Sequence, residues 1–208
     1  MLYLISLFLG LILSFLGQLP LGTLSMTATQ IAVQESFSSA WKYSIGVALI
    51  ELVYLRLVLS GMQWITGHQV LFNIFNWTTV ILFGVFGLLS FKEAQRQGKE
   101  KKALLLNYRL NRFLLGASMS ALNPIQIPFW FVWSGYFLSQ GWLEPSFSVF
   151  NIFTLGAALG TVGGLVVYMY GGNWLVSKMK TSNRMLNKIM GVIFITAAFA
   201  QLFRLVWP

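Results

Sequence analysis

The chain has 208 residues, of which 57% are hydrophobic and 9% are charged, and its formal net charge is +9. This composition argues against a soluble domain, in which about 25% of residues are charged. The absence of cysteine excludes disulfides and thiolate metal sites, and a single histidine forms no metal centre, so we expect no metal and no cofactor.

Six apolar segments follow one another along the chain, each long enough for the roughly 20 residues that a helix needs to cross a bilayer. The first segment has no basic start and is too long for a signal-peptide core, so we expect it to be retained. We therefore predict an all-α polytopic membrane protein with a single membrane domain, 1–208. The predicted helices cover roughly 2–32, 40–61, 69–91, 110–139, 147–173 and 184–206.

The positive charges indicate how the chain is oriented. Twelve of the fourteen lysines and arginines lie at Lys42, in the segment 92–112 or in the segment 178–188. Loops rich in lysine and arginine stay in the cytoplasm, so this clustering indicates membrane topology rather than nucleic-acid binding. We expect the basic loops, the longest of them at 92–109, to be cytoplasmic and both termini to be extracytoplasmic.

The two halves of the chain, 1–91 and 110–208, repeat several features in the same order. Three helices per half is an odd number, so the second half would enter the membrane from the opposite face. Inverted repeats with helices interrupted at corresponding positions are typical of transporters with a central site. The matching features are Pro20-Leu21-Gly22 with Asn123-Pro124, Gly46 to Glu51 with Gly156 to Thr161, and Gly84-Val85-Phe86 with Gly191-Val192-Ile193.

Prolines are predicted to interrupt the first and fourth helices, at Pro20 and Pro124. In lipid, the backbone groups that proline frees need partners in the protein or in a wet cavity. Asn123 is a predicted N-cap with Gln126 three residues later, and a helix that starts inside the membrane offers its positive end to a carboxylate. The alternative is two proline kinks repaired by serine and threonine, with no ligand. The predicted transport site contains Gln18, Pro20, Gly22, Thr23, Ser25, Asn123, Pro124 and Gln126.

Two charged side chains, Glu51 and Arg56, lie well inside a predicted helix. A carboxyl at mid-span is costly unless it is paired, protonated or wet, so Glu51 is the candidate for binding a substrate amine or for coupling transport to protons. A structural pair with Arg56 is the alternative, but five residues turn a helix through about 140°, so the two share no face. Thr161, at the corresponding place in helix 5, completes the predicted site. The aromatic residues of the run 129–133 are expected mostly to pack or to face lipid, with the alternative that one of them lines a pocket.

Several short motifs along the whole chain carry a resemblance to a known family. They are a glycine shortly before Pro20-Leu21-Gly22, the run Gly46 to Glu51, a basic loop after helix 3, Gly116 before Asn123-Pro124, and the run Leu186 to Gly191. Together they resemble the LysE superfamily of lysine and amino-acid exporters, especially its homoserine/threonine-exporter branch. The family commonly has Pro-Gly-Pro where Pro20-Leu21-Gly22 stands, lysine in place of Ile125, and aspartate in place of Glu51.

What the resemblance implies is a bacterial inner-membrane exporter of amino acids or related small zwitterions, usually driven by the proton gradient. Its partners would be a small-molecule substrate and the bilayer lipids, with a homodimer as an open alternative. An inorganic cation exporter stays open, although a single buried acid disfavours it. A membrane enzyme is disfavoured because the acids and the histidine are scattered. A non-transporting scaffold also stays open, but it would fill the space between the two breaks with side chains.

Overall fold

The computed structural model describes residues 1–20, 22–95, 110–123, 125–172 and 184–207, and every regular element in these ranges is an α-helix. The last helical run, Phe147–Val206, departs from helical geometry at Gly172, where φ is 50° and ψ is −150°, and its two membrane-length parts are treated as separate helices. The helices are α1 Leu2–Gln18, α2 Thr23–Gln34, α3 Phe37–Thr66, α4 Gln69–Gln95, α5 Arg112–Ala121, α6 Gln126–Ser139, α7 Phe147–Gly172 and α8 Arg184–Val206.

Four of the helices in the described ranges, α3, α4, α7 and α8, are long and apolar enough to cross a membrane. Helices α1 and α2 form a fifth span if they are taken together, although the chain bends by 78° between them. The fourth predicted segment, 110–139, is divided into α5 and α6, of 10 and 14 residues, and each of these is shorter than a bilayer crossing. The fold is therefore that of an all-helical membrane protein with two breaks between short helices.

Side-chain caps fix where several helices begin. The hydroxyl of Ser36 accepts a hydrogen bond from the backbone N–H of Ser39 at 3.1 Å, so α3 begins three residues before the predicted 40–61. Ser146 accepts from the backbone N–H of Val149 at the start of α7, and Asn111 caps α5 in the same way. The cap thus extends α3 beyond its predicted start, whereas α7 begins at the predicted residue 147 and α5 begins two residues after the predicted 110.

Helices α1 and α7 approach each other through glycines. A Cβ atom on Gly10 would overlap the carbonyl oxygen of Phe153, and a Cβ atom on Gly156 would overlap the carbonyl oxygen of Leu7. Each of these carbonyls belongs to the residue three positions before the partner helix's glycine. The contact is therefore reciprocal, and it brings the two backbones to a distance that only glycine permits.

Helices α3 and α5 repeat this arrangement. A Cβ atom on Gly46 would overlap the carbonyl oxygen of Phe113, and one on Gly116 would overlap the carbonyl oxygen of Tyr43. The carbonyls again belong to the residues three positions before the partner glycine. The α1–α7 and α5–α3 pairs therefore have the same geometry, with one helix in each pair from either half of the chain.

An aromatic cluster joins α4, α6 and α8. The Phe83 ring meets the rings of Trp133 and Tyr136 edge to face, with centroids 4.9 and 5.5 Å apart, and Phe194 lies 6.0 Å from Phe83. Contacts of this kind stabilise a core by about 0.5–1.5 kcal/mol each beyond the area that they bury. The cluster therefore holds α6 firmly against α4 and α8.

An ion pair joins the end of α2 to the start of α5. Arg112 Nε donates to Glu35 Oε2 at 2.9 Å, and Arg112 Nη2 lies 2.6 Å from Glu35 Oε1. The two side chains are only 7% and 16% exposed. A bidentate pair of this kind is stronger and more directional than a single contact, so it links the two halves at this end of the bundle.

Candidate functional site

Glu51 lies near the middle of α3, is only 4% exposed, and is surrounded by hydrogen-bond donors. Its Oε1 accepts from Ser14 Oγ at 3.3 Å and from Trp130 Nε1 at 3.2 Å, and its Oε2 accepts from Thr161 Oγ1. The hydroxyls of Ser14 and Thr161 are themselves 2.6 Å apart. Side chains from α1, α6 and α7 thus converge on one carboxyl of α3. Their hydrogen bonds offset the free-energy cost of burying the two carboxyl oxygens.

A cavity of about 120 Å³ lies beside Glu51. It has room for several water molecules or a small solute, and its polar lining suits either. Among the predicted site residues, four line it together, and they come from both helix breaks as well as from α3. These four are Gln18, Glu51, Asn123 and Gln126.

The other predicted site residues lie around this cavity or away from it. Thr161 bonds Glu51 directly, and the Ser25 hydroxyl donates to the carbonyl of Gln18 at 3.3 Å. Pro20 lines a second, larger cavity. Gly22 is the N-cap of α2, and the exposed Thr23 is its first residue, so neither lines the central cavity. Pro124 and Leu21 lie outside the described residues.

The start of α6 differs from the predicted one. The sequence predicts Asn123 as the N-cap, but α6 begins at Gln126 with Ile125 in the N-cap position. Asn123 Oδ1 instead accepts from the backbone N–H of Ile125 at 3.3 Å, and Gln126 Oε1 accepts from Ser120 Oγ at 3.0 Å. The Asn123 side chain thus bonds within the break rather than at the first turn of α6, and the bond of Gln126 to Ser120 spans the break between the two short helices.

Two tyrosines supply donors to carbonyls at the breaks. The hydroxyl of Tyr168, on α7, donates to the carbonyl of Leu19 just after α1. The hydroxyl of Tyr54, on α3, donates to the carbonyl of Ala121 at the end of α5, at 2.9 Å. Carbonyls at a helix end inside a membrane need such partners, so these bonds stabilise an interrupted backbone there.

Arg56 belongs to a different group of residues from Glu51. Its Nε donates to Asn151 Oδ1 and its Nη1 donates to Ser60 Oγ, both at 3.0 Å, and the guanidinium lies 5.0 Å from the centroid of the Phe147 ring. The structural pair with Glu51 that the sequence left open is therefore not formed. Arg56 instead ties α3 to the start of α7. In the part of the chain that the structure describes, no group of three or more His, Cys, Asp or Glu residues could hold a metal ion.

Comparison with protein families supports the resemblance seen in the sequence. The family model described as LysE type translocator matches residues 15–204, a range that contains both helix breaks and the whole Glu51 cluster except Ser14. The chain belongs to the LysE type translocator family. No curated protein and no solved structure matched the chain in the corresponding searches. The chain is therefore a multi-pass membrane transport protein rather than an enzyme, and its substrate is a small molecule.

Two residues of this LysE-type translocator site, Ser14 and Trp130, were missed by the sequence-based prediction. Ser14 follows Gly10 by four residues, as Ser120 follows Gly116, and both serines are buried and hydrogen bonded. Extending the comparison of the two halves back to these glycines would have found it. The indole N–H of Trp130 had no such signal, because its neighbours in the run 129–133 are also aromatic.

The candidate site combines one acid with neutral amides and hydroxyls. The cavity is lined by Glu51 together with the amide residues Gln18, Asn123 and Gln126. Amides both donate and accept hydrogen bonds, so they can bind the carboxylate of a solute, while the acid can bind an ammonium group or a proton. The arrangement is suited to a small solute that carries both kinds of group.

Proposed function

We propose that this translocator is a secondary exporter of amino acids or related small zwitterionic solutes. The observation that carries the proposal is the shared cavity, because Gln18 at one break and Asn123 and Gln126 at the other line it together with Glu51. The solute's carboxylate would lie at the amides near the positive end of α6, and its amine, or a coupling proton, would lie at Glu51. Transport would proceed by alternating access, with this cavity opening to each face in turn.

The same proposal includes a six-span architecture of two inverted repeats, 1–91 and 110–208. The broken pairs α1–α2 and α5–α6 would be the first span of each repeat, and α3 would correspond to α7 and α4 to α8. The reciprocal glycine contacts support this correspondence, because α1 meets α7 in the same way as α5 meets α3. In a bacterial inner membrane the loop 92–109 would be cytoplasmic and both termini extracytoplasmic.

The two alternatives from the sequence fit the site less well. A scaffold has no need of an open space, yet polar side chains from both breaks surround one. A divalent cation favours several oxygen ligands, often carboxylates, whereas Glu51 is the single acid in the lining of the central cavity, as far as the structure describes it. The open polar cavity and its single acid therefore favour a zwitterionic solute over either alternative.

Amino-acid efflux from cells loaded with mixed dipeptides tests the proposal. Cells with the wild-type protein should release a defined set of amino acids faster than empty cells, and Glu51→Gln should abolish that gain. Glu144→Gln is the matched control, because it removes the same charge from an exposed loop residue. Release that Glu51→Gln leaves unchanged would keep the exporter but remove Glu51 from its mechanism. If the protein reaches the membrane and no amino acid is released beyond the level of empty cells, the exporter proposal fails.

A further inference from the structure

A second cavity, of about 540 Å³, adjoins the central one. The two share three lining residues, Gly17, Ile125 and Phe129. The larger cavity, termed here the antechamber, lies among α1, α4, α6 and α8. Its volume is in the range of ligand pockets, and it is open at the edge where Leu89 and Ile125 are 53% and 60% exposed. The central cavity is smaller, at about 120 Å³.

Most of the antechamber wall is apolar. The ring of Phe194 lies 5.6 Å from that of Phe86 and 6.4 Å from that of Phe129, measured between centroids, and all three rings line the cavity. Leu89 and Met190 extend the same surface. Such a wall stabilises an apolar group through burial and dispersion, so it suits a solute with an apolar side chain.

Polar groups lie on the same lining. Asn187 is only 8% exposed and lines the cavity, where its amide can both donate and accept hydrogen bonds. Lys92 and Glu93 lie on the same lining.

Phe129 separates the two cavities. A Cβ atom built on Gly17 would lie 3.3 Å from Phe129 Cζ, so the phenyl ring sits directly over the bare backbone of Gly17. Both residues face both cavities. A solute that moves from one cavity to the other has to pass this contact, and any side chain on residue 17 would tighten it.

We infer that the antechamber binds zwitterions with apolar side chains and that Phe129 over Gly17 is the specificity-determining partition in front of the central cavity. The transport part of this inference rests on the proposed exporter function. The zwitterionic class of the ligand rests on that function too, whereas the preference for an apolar side chain stands on the antechamber lining alone. Amino acids with aliphatic or aromatic side chains are therefore the favoured class, ahead of small polar ones.

Binding is tested with purified protein and two probes, L-leucine and L-alanine, by the thermal stabilisation that each produces. L-leucine should stabilise the wild-type protein at lower concentration than L-alanine. Phe194→Ala and Asn187→Ala should each weaken the leucine effect by at least about tenfold, since the variants remove an apolar group and a hydrogen-bonding group, respectively, from the pocket. Phe199→Ala, on an exposed residue of the same helix, should leave it unchanged. Equal effects of the two probes, or no loss in either variant, would overturn the inference.

The partition is tested by exit rates from proteoliposomes loaded with equal L-phenylalanine and L-alanine. Phe129→Ala should raise the phenylalanine-to-alanine exit ratio, and Gly17→Ala should lower it. If the wild-type protein exports amino acids and neither variant changes the ratio, the partition is wrong while the exporter stands. If no amino acid leaves the vesicles but leucine binding still depends on Phe194 and Asn187, the exporter is wrong while the binding site stands.

Discussion

Glu51 and Thr161 occupy the same place in two helix pairs of the same geometry, and they are hydrogen bonded to each other. Each lies five residues after a glycine, Gly46 or Gly156, that touches the backbone of its partner helix. Two carboxyls at these places would repel each other, whereas an acid and a hydroxyl form a bond. Corresponding positions of the two halves thus carry different side chains, and the difference is what allows them to bond each other.

Replacing Thr161 by valine tests this bond. Valine keeps the branched shape but removes one of the three donors to Glu51, so the protein should lose about 1–3 kcal/mol of stability. Amino-acid efflux should fall with it, because the carboxyl loses its fixed position. Thermal unfolding in detergent and efflux assays would measure the two effects.

Thr196→Val is the control for this substitution. The hydroxyl of Thr196 bonds the carbonyl of Val192 on its own helix and is exposed. The control should therefore unfold and transport like the wild-type protein. Equal effects of the two substitutions on unfolding and efflux would show that the Thr161–Glu51 hydrogen bond contributes nothing beyond the general effect of replacing threonine by valine.

The reciprocal glycine contacts predict matched effects in the two halves. Gly46→Ala and Gly156→Ala each place a methyl group on a backbone carbonyl, which cannot move aside as a side chain can. Both should destabilise the fold by about 1–3 kcal/mol, the usual range for overpacking. Chemical or thermal unfolding of the two variants would give values to compare.

Gly163→Ala, on the same helix as Gly156, separates the contact from the general effect of alanine. A Cβ atom at Gly163 would lie 3.6 Å from the Phe15 ring, which is an ordinary contact. This variant should be as stable as the wild-type protein or slightly more stable. A large loss of stability in Gly46→Ala with none in Gly156→Ala would contradict the correspondence of the two helix pairs.

The ion pair of Glu35 and Arg112 is open to a double-mutant cycle. Glu35→Gln leaves a buried guanidinium with one acceptor fewer, and the cost should reach up to about 3–5 kcal/mol. The double variant with Arg112→Gln should be less destabilised than the sum of the two single variants, because the pair is removed as a unit. Strict additivity of the free energies of unfolding would show that the pair contributes nothing by itself.

Tyr168→Phe tests how the first helix break is stabilised. The change removes the donor to the carbonyl of Leu19, and a carbonyl left without a partner costs about 1–3 kcal/mol. Tyr170→Phe is its control, since Tyr170 is exposed on the same helix. Thermal unfolding that is the same in both variants would show that water satisfies the carbonyl instead.

The sequence predicted the membrane character of the chain, its resemblance to the LysE family and the candidate role of Glu51. Different kinds of sequence signal carried these predictions. Apolar length and the clustering of charge depend on composition alone, and they predict membrane helices without knowledge of contacts. The residues that line the central cavity were partly predictable, because Gln18, Asn123 and Gln126 stand next to prolines. Polar side chains near a break in a membrane helix are expected to face the protein interior or a wet cavity, because lipid offers them no hydrogen-bond partners.

The remaining features depend on which helices touch, and no local pattern specifies that. Trp130 reaches Glu51 across 79 positions of sequence, and its role depends on the rotation of α6 against α3. The start of α6 was placed wrongly: Asn123 accepts from the backbone N–H of Ile125 within the break, and the helix begins at Gln126. Thr23 was included in the site for its polarity, but α2 turns it outward.

Helix pairing in this chain also constrains how the protein is made. The closest backbone contacts, α1 with α7 and α3 with α5, join early helices to late ones. Glu51 meets its indole donor 79 residues later in the chain and its threonine donor 110 residues later. During synthesis, α3 is therefore made before the indole and threonine donors to its acid. Ser14 is the one of these three donors that precedes Glu51 in the chain, so the full set of hydrogen bonds can form only after α7 has been made.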